Sequence, residues 1–455
     1  MKKGWMIKQG GFVKSWKKRY FVITGTEVHY YAEEGKNEKG SFNLSHAKKI
    51  GIADCNECAR QPALKVEIVK PKNRIYYFQT TDIADRDSWI EAFQNATKKD
   101  KSSEISLSSS KSVSSGLITV DDFEFLKVLG RGSFGKVQLV KYKRDNQYYA
   151  MKYMKKKKIF ASGQINQTFA ERDILVKIHH PFLVSAHFSF QNEDKIFLVL
   201  DFINGGDLRN HINDSKRLTE TEARFYAAQI LLGLGALHSK GYIYRDLKPE
   251  NILIEKDGYI KITDFGLIKK DLKADSASHT TFCGTPYYLA PEIIREESYS
   301  NSVDWWSFGI VIYEMIAGET PFHDQNMTKM YHKILHGKIN FPDFFSHDAK
   351  DLISKLLDKN LQNENNIRTR LGSQRDFEEI KEHPFFNEII NWDDLLNKNI
   401  EPEWTPEIDD VLDTSHFSQI YTNETPGITA PDDTAIQDPI NFQFSGFTSV
   451  EPSNF

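Results

Sequence analysis

Two short motifs in the middle of the chain constrain its fold more than any other feature. Residues 244–251 are Tyr-Arg-Asp-Leu-Lys-Pro-Glu-Asn, and Asp-Phe-Gly follows at 264–266. Asp246 can orient a hydroxyl group and accept its proton, while Asn251 and Asp264 can hold magnesium ions that bridge phosphates. The ordered set therefore predicts one site that binds phosphate groups through a metal.

A glycine-rich segment upstream predicts the cover of that site. It lies between two β-like runs, 125–129 and 137–142, so a hairpin is expected rather than the strand–helix unit of a dinucleotide fold. A backbone without a Cβ can approach a nucleotide closely. The candidate nucleotide-binding residues here are Gly130, Arg131, Gly132, Ser133, Phe134, Gly135 and Val137.

A lysine on the next predicted strand adds to the phosphate-binding set. Lys152 ends the sequence Tyr-Ala-Met-Lys and is expected to contact the phosphates, and Ala150 belongs to the same nucleotide site. The following predicted helix supplies a carboxylate, Glu171, as the partner of this lysine. The lysine run 155–158 is instead predicted to be a solvated edge.

The apolar run 197–203 predicts a buried strand that leads into a hinge. Leu200 is expected beside the adenine, whose edge would bond main-chain groups between Asp201 and Ile203. Two glycines then end the strand. Asp207 begins a helix there and is the last residue of the predicted nucleotide site.

These motifs together resemble the protein kinase superfamily over residues 123–386. Lys-Pro-Glu after the aspartate is similar to the serine/threonine branch, and the resemblance implies a bilobal fold with ATP and Mg²⁺ as cofactors. It implies structural roles for Asp304 and for an ion pair of Glu292 with Arg370. The catalytic residues that it implies are Asp246, Lys248, Lys152 and Glu171. Because every essential group is present, an active ATP-dependent serine/threonine protein kinase is expected.

Residues 281–292, Thr-Phe-Cys-Gly-Thr-Pro-Tyr-Tyr-Leu-Ala-Pro-Glu, resemble the activation segment of the AGC group of kinases. By that resemblance Thr281 is the phosphosite of an upstream activating kinase, because a phosphate adds roughly −1.5 to −2 charge that can order the segment. Asp207, Glu250 and Glu314 match acidic positions that meet arginines in front of the acceptor. Protein substrates with an arginine three residues upstream are therefore expected.

The C-terminal region resembles the regulatory tail of the same group. Thr429 matches the phosphosite of the turn motif, with Thr425 as a competing choice. Phe-Ser-Gly-Phe-Thr at 444–448 is similar to the hydrophobic motif, in which both phenylalanines insert beside the helix of the carboxylate partner and Thr448 is phosphorylated. Ser449 departs from the aromatic residue that is usual there, which bears on the strength of docking.

The first hundred residues have a different pattern. One predicted helix from about Ile83 to Ala96 has Trp89 and Phe93 on one face. Strand-like segments precede it at 4–8, 16–23, 64–69 and 76–80. A small β-barrel closed by one helix resembles the pleckstrin homology family, over residues 1–99, and Trp89 is where that family keeps its core tryptophan.

Charge is distributed unevenly along the chain. Residues 1–26 contain seven cations and no acid, whereas residues 387–455 contain one lysine and 14 acids. This asymmetry favours an anionic partner for the N-terminal module and a tail that lies along a protein surface. A nucleic acid is not the expected partner, because the cations follow strands rather than a basic helix.

The pleckstrin resemblance indicates a phosphoinositide membrane as that anionic partner. Lys8, Lys17 and Arg19 match the phosphoinositide signature of the family, and several cations around one loop can bind a phosphorylated inositol. Lys14 and Arg74 are expected helpers. A protein partner for this module is the alternative.

The predicted fold class is α+β and multidomain. The expected parts are a pleckstrin homology domain (1–99), a serine-rich flexible linker (100–122), a protein kinase domain (123–386) and an extended regulatory tail (387–455). Three cysteines and the lack of a long apolar run predict a reduced, cytoplasmic protein without a signal peptide or membrane span. A monomer that is recruited to the plasma membrane is expected.

A pleckstrin module in front of an AGC kinase resembles the protein kinase B (Akt) family across nearly the whole chain. The resemblance implies activation by membrane recruitment and by phosphorylation of the activation loop and tail. Two alternatives stay open. One is a kinase whose N-terminal module binds protein rather than lipid, and the other is a lipid-tethered scaffold with an inactive kinase fold.

Overall fold

In the computed structural model, the chain forms two units, Met1–Ser115 and Gly116–Phe455. The structure describes residues 2–9, 16–24, 26–34, 36–53, 62–68, 74–81, 83–98, 118–132, 134–270, 282–360, 369–387, 391–428, 438–444 and 446–450. Most of the predicted linker lies outside these residues. So do four candidate site residues, Lys14, Ser133, Thr281 and Thr429, whose roles stay predictions.

The first unit is a seven-stranded antiparallel sheet followed by one helix, α1 (Ile83–Lys98). The strands are β1 (Lys3–Gln9), β2 (Trp16–Thr24), β3 (Glu27–Glu33), β4 (Lys36–Asn43), β5 (Ala47–Ile52), β6 (Ala63–Ile68) and β7 (Arg74–Gln79). Their order in the sheet is β4-β3-β2-β1-β7-β6-β5. The pairing of β1 with β7 therefore joins two meanders into one sheet.

The core of this unit lies between the sheet and one face of α1. Alternation along β2 turns Phe21 and Ile23 inward. Trp89 and Phe93 are four residues apart, so they share one face of the helix, and both are buried. The Phe21 and Trp89 rings meet edge to face with centroids 6.3 Å apart. The burial of Trp89 agrees with its predicted packing role.

The second unit begins with a smaller lobe built on a sheet. Its elements are β8 (Phe123–Arg131), β9 (Gly135–Tyr142), β10 (Tyr148–Lys155), α2 (Lys156–Ala161), α3 (Ile165–Lys177), β11 (Ala186–Gln191) and β12 (Lys195–Asp201). The strand order is β11-β12-β10-β9-β8, all antiparallel. The glycine segment thus connects the paired strands β8 and β9, so it forms the hairpin that its sequence predicts.

A larger, mainly helical lobe follows. Its helices are α4 (Leu208–Ser215), α5 (Glu220–Ser239), α6 (Pro291–Ile294), α7 (Ser302–Ala317), α8 (Met327–His336), α9 (His347–Leu356), α10 (Phe377–Lys381) and α11 (Trp392–Leu396). Four short strands, β13 (Tyr242–Ile243), β14 (Ile252–Ile254), β15 (Ile260–Ile262) and β16 (Lys269–Lys270), pair as β13–β16 and β14–β15. Helices α5 and α7 are buried along most of their length because apolar residues cover every face. They form the centre of this lobe.

The C-terminal tail returns to the smaller lobe. It contains α12 (Gln419–Thr422), α13 (Asp438–Gln443) and β17 (Ser449–Val450). Strand β17 pairs antiparallel with β11 and extends the sheet of that lobe by one strand. The predicted class, a small β unit with a helix, a bilobal kinase fold and an extended tail, is confirmed. Within the described parts of the chain, no helix is both long and apolar enough to cross a bilayer.

Candidate active site

A cavity of about 320 Å³ lies where the glycine hairpin, strand β10 and the hinge meet the larger lobe. The predicted nucleotide residues that line it are Gly130, Arg131, Gly132, Val137, Ala150, Lys152, Leu200, Asp201 and Ile203. Phe134 and Gly135 line an adjoining cavity of about 350 Å³. Asp207 lines neither cavity. Its carboxylate accepts a hydrogen bond from the backbone N–H of Asn210 at 2.8 Å and caps α4.

The glycines have distinct steric roles in this hairpin. A Cβ on Gly135 would lie 1.6 Å from the carbonyl oxygen of Tyr153, so a side chain is excluded there. A Cβ on Gly130 or Gly132 would meet open space. The backbone at Gly130 and Gly132 therefore leaves room for a polyphosphate to approach the hairpin.

Lys152 on β10 forms the ion pair that the sequence suggests. Its Nζ lies 2.8 Å from Oε1 of Glu171 on α3 and 3.4 Å from Oδ1 of Asp264. Burial opposes the charge on this amine, but the two carboxylates raise the pKa of Lys152 above its ordinary value. The charge of Lys152 in turn lowers the pKa of Asp264. Lys152 and Asp264 are thus both ionised at neutral pH.

Asp246 is held by three neighbouring side chains. Lys248 Nζ and Asn251 Nδ2 donate to Oδ2 at 2.9 and 3.0 Å, and the Thr285 hydroxyl donates to Oδ1 at 3.0 Å. Lys248 also lies 2.9 Å from the Thr285 hydroxyl. Thr285 is not among the sequence candidates, although it lies within the activation-segment motif, and its hydroxyl is the group that connects this segment to the aspartate.

The loop 244–251, which carries Asp246 and is called the catalytic loop below, is fixed by Asp304 in the first turn of α7. The carboxylate of Asp304 accepts the backbone N–H of Tyr244 at 2.8 Å and that of Arg245 at 2.7 Å. Arg245 has a φ of 69°, a strained value for a residue with a side chain. His238 contacts the same carboxylate at 2.8 Å. Asp304 therefore holds the loop in its strained shape.

Two groups in the cavity suit a divalent cation. Asn251 uses its amide nitrogen on Asp246, which leaves the amide oxygen as the atom that can ligate a metal. Asp264 has a φ of 56° and an ionised carboxylate that is about half exposed. Across the residues that the structure describes, no cluster of three or more His, Cys, Asp or Glu could hold a metal. The two oxygens fit Mg²⁺, which keeps waters and substrate phosphates as its other ligands.

The three acidic residues that are expected to bind a substrate arginine differ in their contacts. Glu250 and Glu314 lie together because Arg209, the second residue of α4, contacts Glu250 at 3.1 Å and Glu314 at 2.6 Å. Asp207 caps α4 nearby. Burial raises the pKa of Glu314, and the hydrogen bond from Arg209 opposes that rise. No sequence motif drew attention to Arg209.

The end of the activation segment is tied to the larger lobe by a buried ion pair. Arg370 Nη1 and Nη2 lie 2.6 and 2.9 Å from the two carboxylate oxygens of Glu292, and both side chains are buried. This fork-to-fork geometry gives a strong, directional contact. Glu292 and Arg370 are thus in contact, as the kinase resemblance implies.

The aromatic residues of the tail dock beside α3. Phe444 and Phe447 are fully buried, and the Phe447 ring meets that of Phe169 edge to face at 5.6 Å. The Ser189 hydroxyl donates to the Phe447 carbonyl at 2.9 Å. Ser449 of β17 pairs with Ser189 of β11. Backbone pairing thus holds the tail to the sheet at the position where the family usually has an aromatic residue. Thr448, which lies between Phe447 and Ser449, is exposed.

The lysine run 155–158 is predicted to be a solvated edge, and this prediction is wrong for Lys156. Lys156 is 2 % exposed, and its Nζ donates to the Asn192 carbonyl at 2.6 Å and to Asn441 Oδ1 of the tail at 3.0 Å. Burial lowers the pKa of Lys156 to about 8. The prediction failed because the tail, which is distant in sequence, covers this lysine.

A second tail contact reaches the glycine hairpin. Glu424 Oε2 lies 2.8 Å from Arg131 and 2.7 Å from Lys136, on opposite strands of the hairpin. Phe417 of the tail lines the nucleotide cavity itself. Neither residue is a sequence candidate, because only the path of the tail brings them to the cleft.

The candidate lipid-binding residues of the first unit lie on β1, β2 and β7. Lys8 pairs with Lys17 across the two strands, and Arg19 pairs with Met6 on the same sheet face. Lys8 is 7 % exposed, with its amine 4.7 Å from the centre of the Tyr30 ring, whereas Lys17 is exposed. Arg74 begins β7, and its side chain is outside the described residues.

Comparison with known families agrees with this architecture. Family models described as "Protein kinase domain", "PH domain" and "Protein kinase C terminal domain" match residues 123–386, 1–98 and 408–448. A "RAC family serine/threonine-protein kinase homolog" of Dictyostelium discoideum is 40% identical over 99% of this chain and 97% of its own length. "RAC-beta serine/threonine-protein kinase" of Homo sapiens is 34% identical, and that of Rattus norvegicus 35%, each over 95% of this chain and 93% of the relative.

The fold and the cleft define a serine/threonine protein kinase with an N-terminal pleckstrin homology domain and an AGC-type C-terminal tail. Its relatives match nearly end to end, which includes the order of the three domains. The chain belongs to the RAC (protein kinase B, Akt) family of serine/threonine protein kinases.

Proposed function

We propose that this kinase transfers the γ-phosphate of ATP to serine or threonine in protein substrates that carry an arginine upstream of the acceptor. The observation that supports this most directly is the arrangement around Asp246. Its carboxylate is bonded to Lys248, Asn251 and Thr285. Asn251 also lines the nucleotide cavity, as does Lys152, which contacts Glu171 and Asp264.

Each of these groups has a role that its position supports. Asp246 orients the acceptor hydroxyl and takes its proton, and Lys248 stabilises the charge on the transferred group. Lys152, fixed by Glu171, binds the nucleotide phosphates. Asn251 and Asp264 hold Mg²⁺, which when bound neutralises phosphate charge. The hairpin and hinge residues that line the cavity bind the rest of the nucleotide.

The test of this function is a kinase assay. It measures the activity of the phosphorylated full chain on a peptide that has an arginine three residues before serine. We expect turnover by the wild type, and a loss of about a thousandfold or more in Lys152→Met and Asp246→Asn, since each removes a charged group from the proposed active site. The exposed Lys240→Met is the matched control and should keep full activity. A wild type that labels no peptide would support the inactive-scaffold alternative.

The pleckstrin homology domain is proposed to bind phosphoinositide membranes. Support comes from the seven cations among the first 26 residues, and from Lys8, Lys17 and Arg19 on one face of the paired strands β1 and β2. Each cation near an anionic leaflet contributes about 1 kcal/mol. Lys14 and Arg74 are proposed as helpers on the basis of the family signature alone.

Sedimentation with lipid vesicles separates the lipid and protein alternatives. Vesicles of neutral lipid with and without a 3-phosphorylated inositol lipid are compared. We expect the full chain to sediment only with the phosphoinositide, and Lys17→Ala/Arg19→Ala to lose this binding, while Lys39→Ala on β4 keeps it. A full chain that sediments with neither vesicle type would favour a protein partner.

Regulation is proposed to follow the family pattern. Upstream kinases phosphorylate Thr281, Thr429 and Thr448, and membrane recruitment of a cytoplasmic monomer raises the effective concentration of enzyme and substrates. Thr448 is exposed directly after the buried Phe447, so it is accessible in the docked tail. The proposed domain boundaries remain 1–99, 100–122, 123–386 and 387–455.

A further inference from the structure

Arg209 lies where the proposed function places a substrate arginine. Its Nε is 3.1 Å from Glu250 Oε1 and its Nη1 is 2.6 Å from Glu314 Oε1. Its Nη2 donates to the hydroxyl of Tyr288, which in turn donates to the second oxygen of Glu314 at 2.7 Å. One guanidinium thus bridges the catalytic loop, the end of the activation segment and α7.

The burial of these groups shows which carboxylate depends on Arg209. The Glu314 side chain is 3 % exposed and that of Glu250 is 44 % exposed. A buried carboxylate is costly without a cation and good hydrogen bonds, and both oxygens of Glu314 have them here. Glu314 is therefore neutralised by the chain itself, whereas Glu250 keeps a solvent-exposed part.

Helix formation does not account for an arginine at this position. Arg209 is in the first turn of α4, where a cation opposes the helix dipole, and that turn contains no acidic residue. The contacts that stabilise it are made away from its own helix, to Glu250, Glu314 and Tyr288. Its position is thus explained by the acidic site rather than by the helix that carries it.

We propose that Arg209 is a specificity-determining residue that fills the inner part of the acidic substrate site. The inference rests on the proposed function and refines it. With Glu314 occupied, Asp207 and the exposed part of Glu250 remain for the substrate. The enzyme therefore uses one upstream arginine and gains little from a second.

Peptide kinetics with the phosphorylated full chain test this inference. The reference peptide has one arginine, three residues before serine, in an otherwise alanine background. A second arginine is then placed in turn at each other position from two to six residues upstream. For the wild type we expect kcat/KM to change by less than about threefold, because the buried carboxylate of Glu314 is already paired with Arg209.

Arg209→Leu should open the inner site. The best peptide with two arginines should then exceed the reference peptide by about tenfold or more in kcat/KM, chiefly through KM, as expected for one charged hydrogen-bonded pair. Arg209→Leu/Glu314→Gln removes the carboxylate as well and should abolish that gain. Arg375→Ala, which removes an exposed arginine paired with Glu382, should behave as the wild type.

Two results would overturn the inference. One is a wild type that already gains tenfold from a second arginine, a result that needs no variant to fold. The other is a folded Arg209→Leu that uses the reference peptide but gains nothing. The proposed substrate class fails on a different observation, namely a wild type that is indifferent to changing the single arginine of the reference peptide to alanine.

Discussion

At the scale of single residues, the reactive aspartate is positioned by groups that are near to it and far from it in the sequence. Asn251 and Lys248 follow Asp246 closely, but Thr285 comes from the activation segment. If the activation segment moved, the Thr285 hydroxyl would leave Asp246, and Oδ1 of that carboxylate would lose this hydrogen-bond donor. Thr285 thus couples the position of the segment to the orientation of Asp246.

We predict that Thr285→Val lowers kcat by about ten- to hundredfold, since it removes hydrogen bonds to a carboxylate and an ammonium group. Steady-state kinetics with saturating ATP measure this loss. Thr285→Ser keeps the hydroxyl and should retain most of the activity. Equal activity of the valine and serine variants would show that the hydroxyl has no part in the reaction.

His238 gives the larger lobe a pH-dependent stability. Burial opposes its charge, but Asp304 and Asp376 raise the pKa of His238 from 6.5 to about 9. Because the folded pKa is above the unfolded value, the stabilisation is fully present below about pH 6.5 and is lost as the pH rises through about 9. The difference corresponds to about 3 kcal/mol.

We therefore predict that the melting temperature of the second unit decreases in the wild type as the pH is raised from about 6.5 to about 9.5. In His238→Gln the starting stability is lower and this decline is much weaker. Thermal unfolding at a series of pH values measures both. A His238→Gln profile that runs parallel to that of the wild type would assign the pH dependence to other groups.

At the scale of elements, the tail is a long segment stabilised at separate points of the smaller lobe. Phe444 and Phe447 fill space beside α3, and β17 adds a strand to β11. Glu424 joins both strands of the glycine hairpin. Because α3 carries Glu171, a docked tail favours the position of α3 in which the Lys152 ion pair forms.

We predict that Phe447→Ala undocks this part of the tail, since truncating a buried phenylalanine typically costs about 3–5 kcal/mol. Hydrogen exchange of residues 444–450 should accelerate, and kinase activity should fall because α3 is less well fixed. Ile420→Ala changes a tail residue that is 78 % exposed and should leave both unaffected. Unchanged exchange in Phe447→Ala would contradict the docking role.

At the scale of the whole molecule, the two units have separate cores. The core of the first is centred on Phe21, Phe78, Trp89 and Phe93, and that of the second on α5, α7 and the strands of the cleft. Each unit therefore contains the apolar surface that it needs to fold. The proposed lipid binding and the phosphoryl transfer therefore belong to different units.

We predict that residues 1–115 and 116–455 fold when they are produced separately. The first should sediment with phosphoinositide vesicles, and the second should phosphorylate the arginine peptide when it is itself phosphorylated. Circular dichroism and the two binding and activity assays measure this. Residues 1–80, which lack α1 with Trp89 and Phe93, should fail to fold. A fragment 1–115 that is unfolded would show that its core depends on the second unit.

The sequence determined the chemistry of the cleft and the order of the parts. Asp246, Asn251 and Asp264 lie in short motifs whose spacing reflects local backbone requirements, and the glycine at 135 is demanded by one close backbone contact. The position of Trp89 four residues before Phe93 was enough to place the core face of α1. The motif spacing and the Trp89–Phe93 pair are local features, so the sequence alone determines them, whereas the glycine at 135 answers to Tyr153 on the neighbouring strand.

The tertiary structure alone determines which side chains from distant segments reach the cleft. Arg209, Phe417 and Glu424 lie in no motif, and Thr285 lies in a motif that did not mark it as a site residue. Each acquires its role from a neighbour far away in the chain. Lys156 is buried for the same reason, since the tail covers it. A charged or hydroxyl side chain leaves solvent only where the fold supplies partners for it, so the packing of the two lobes and the tail determines which of them meet the nucleotide and the substrate.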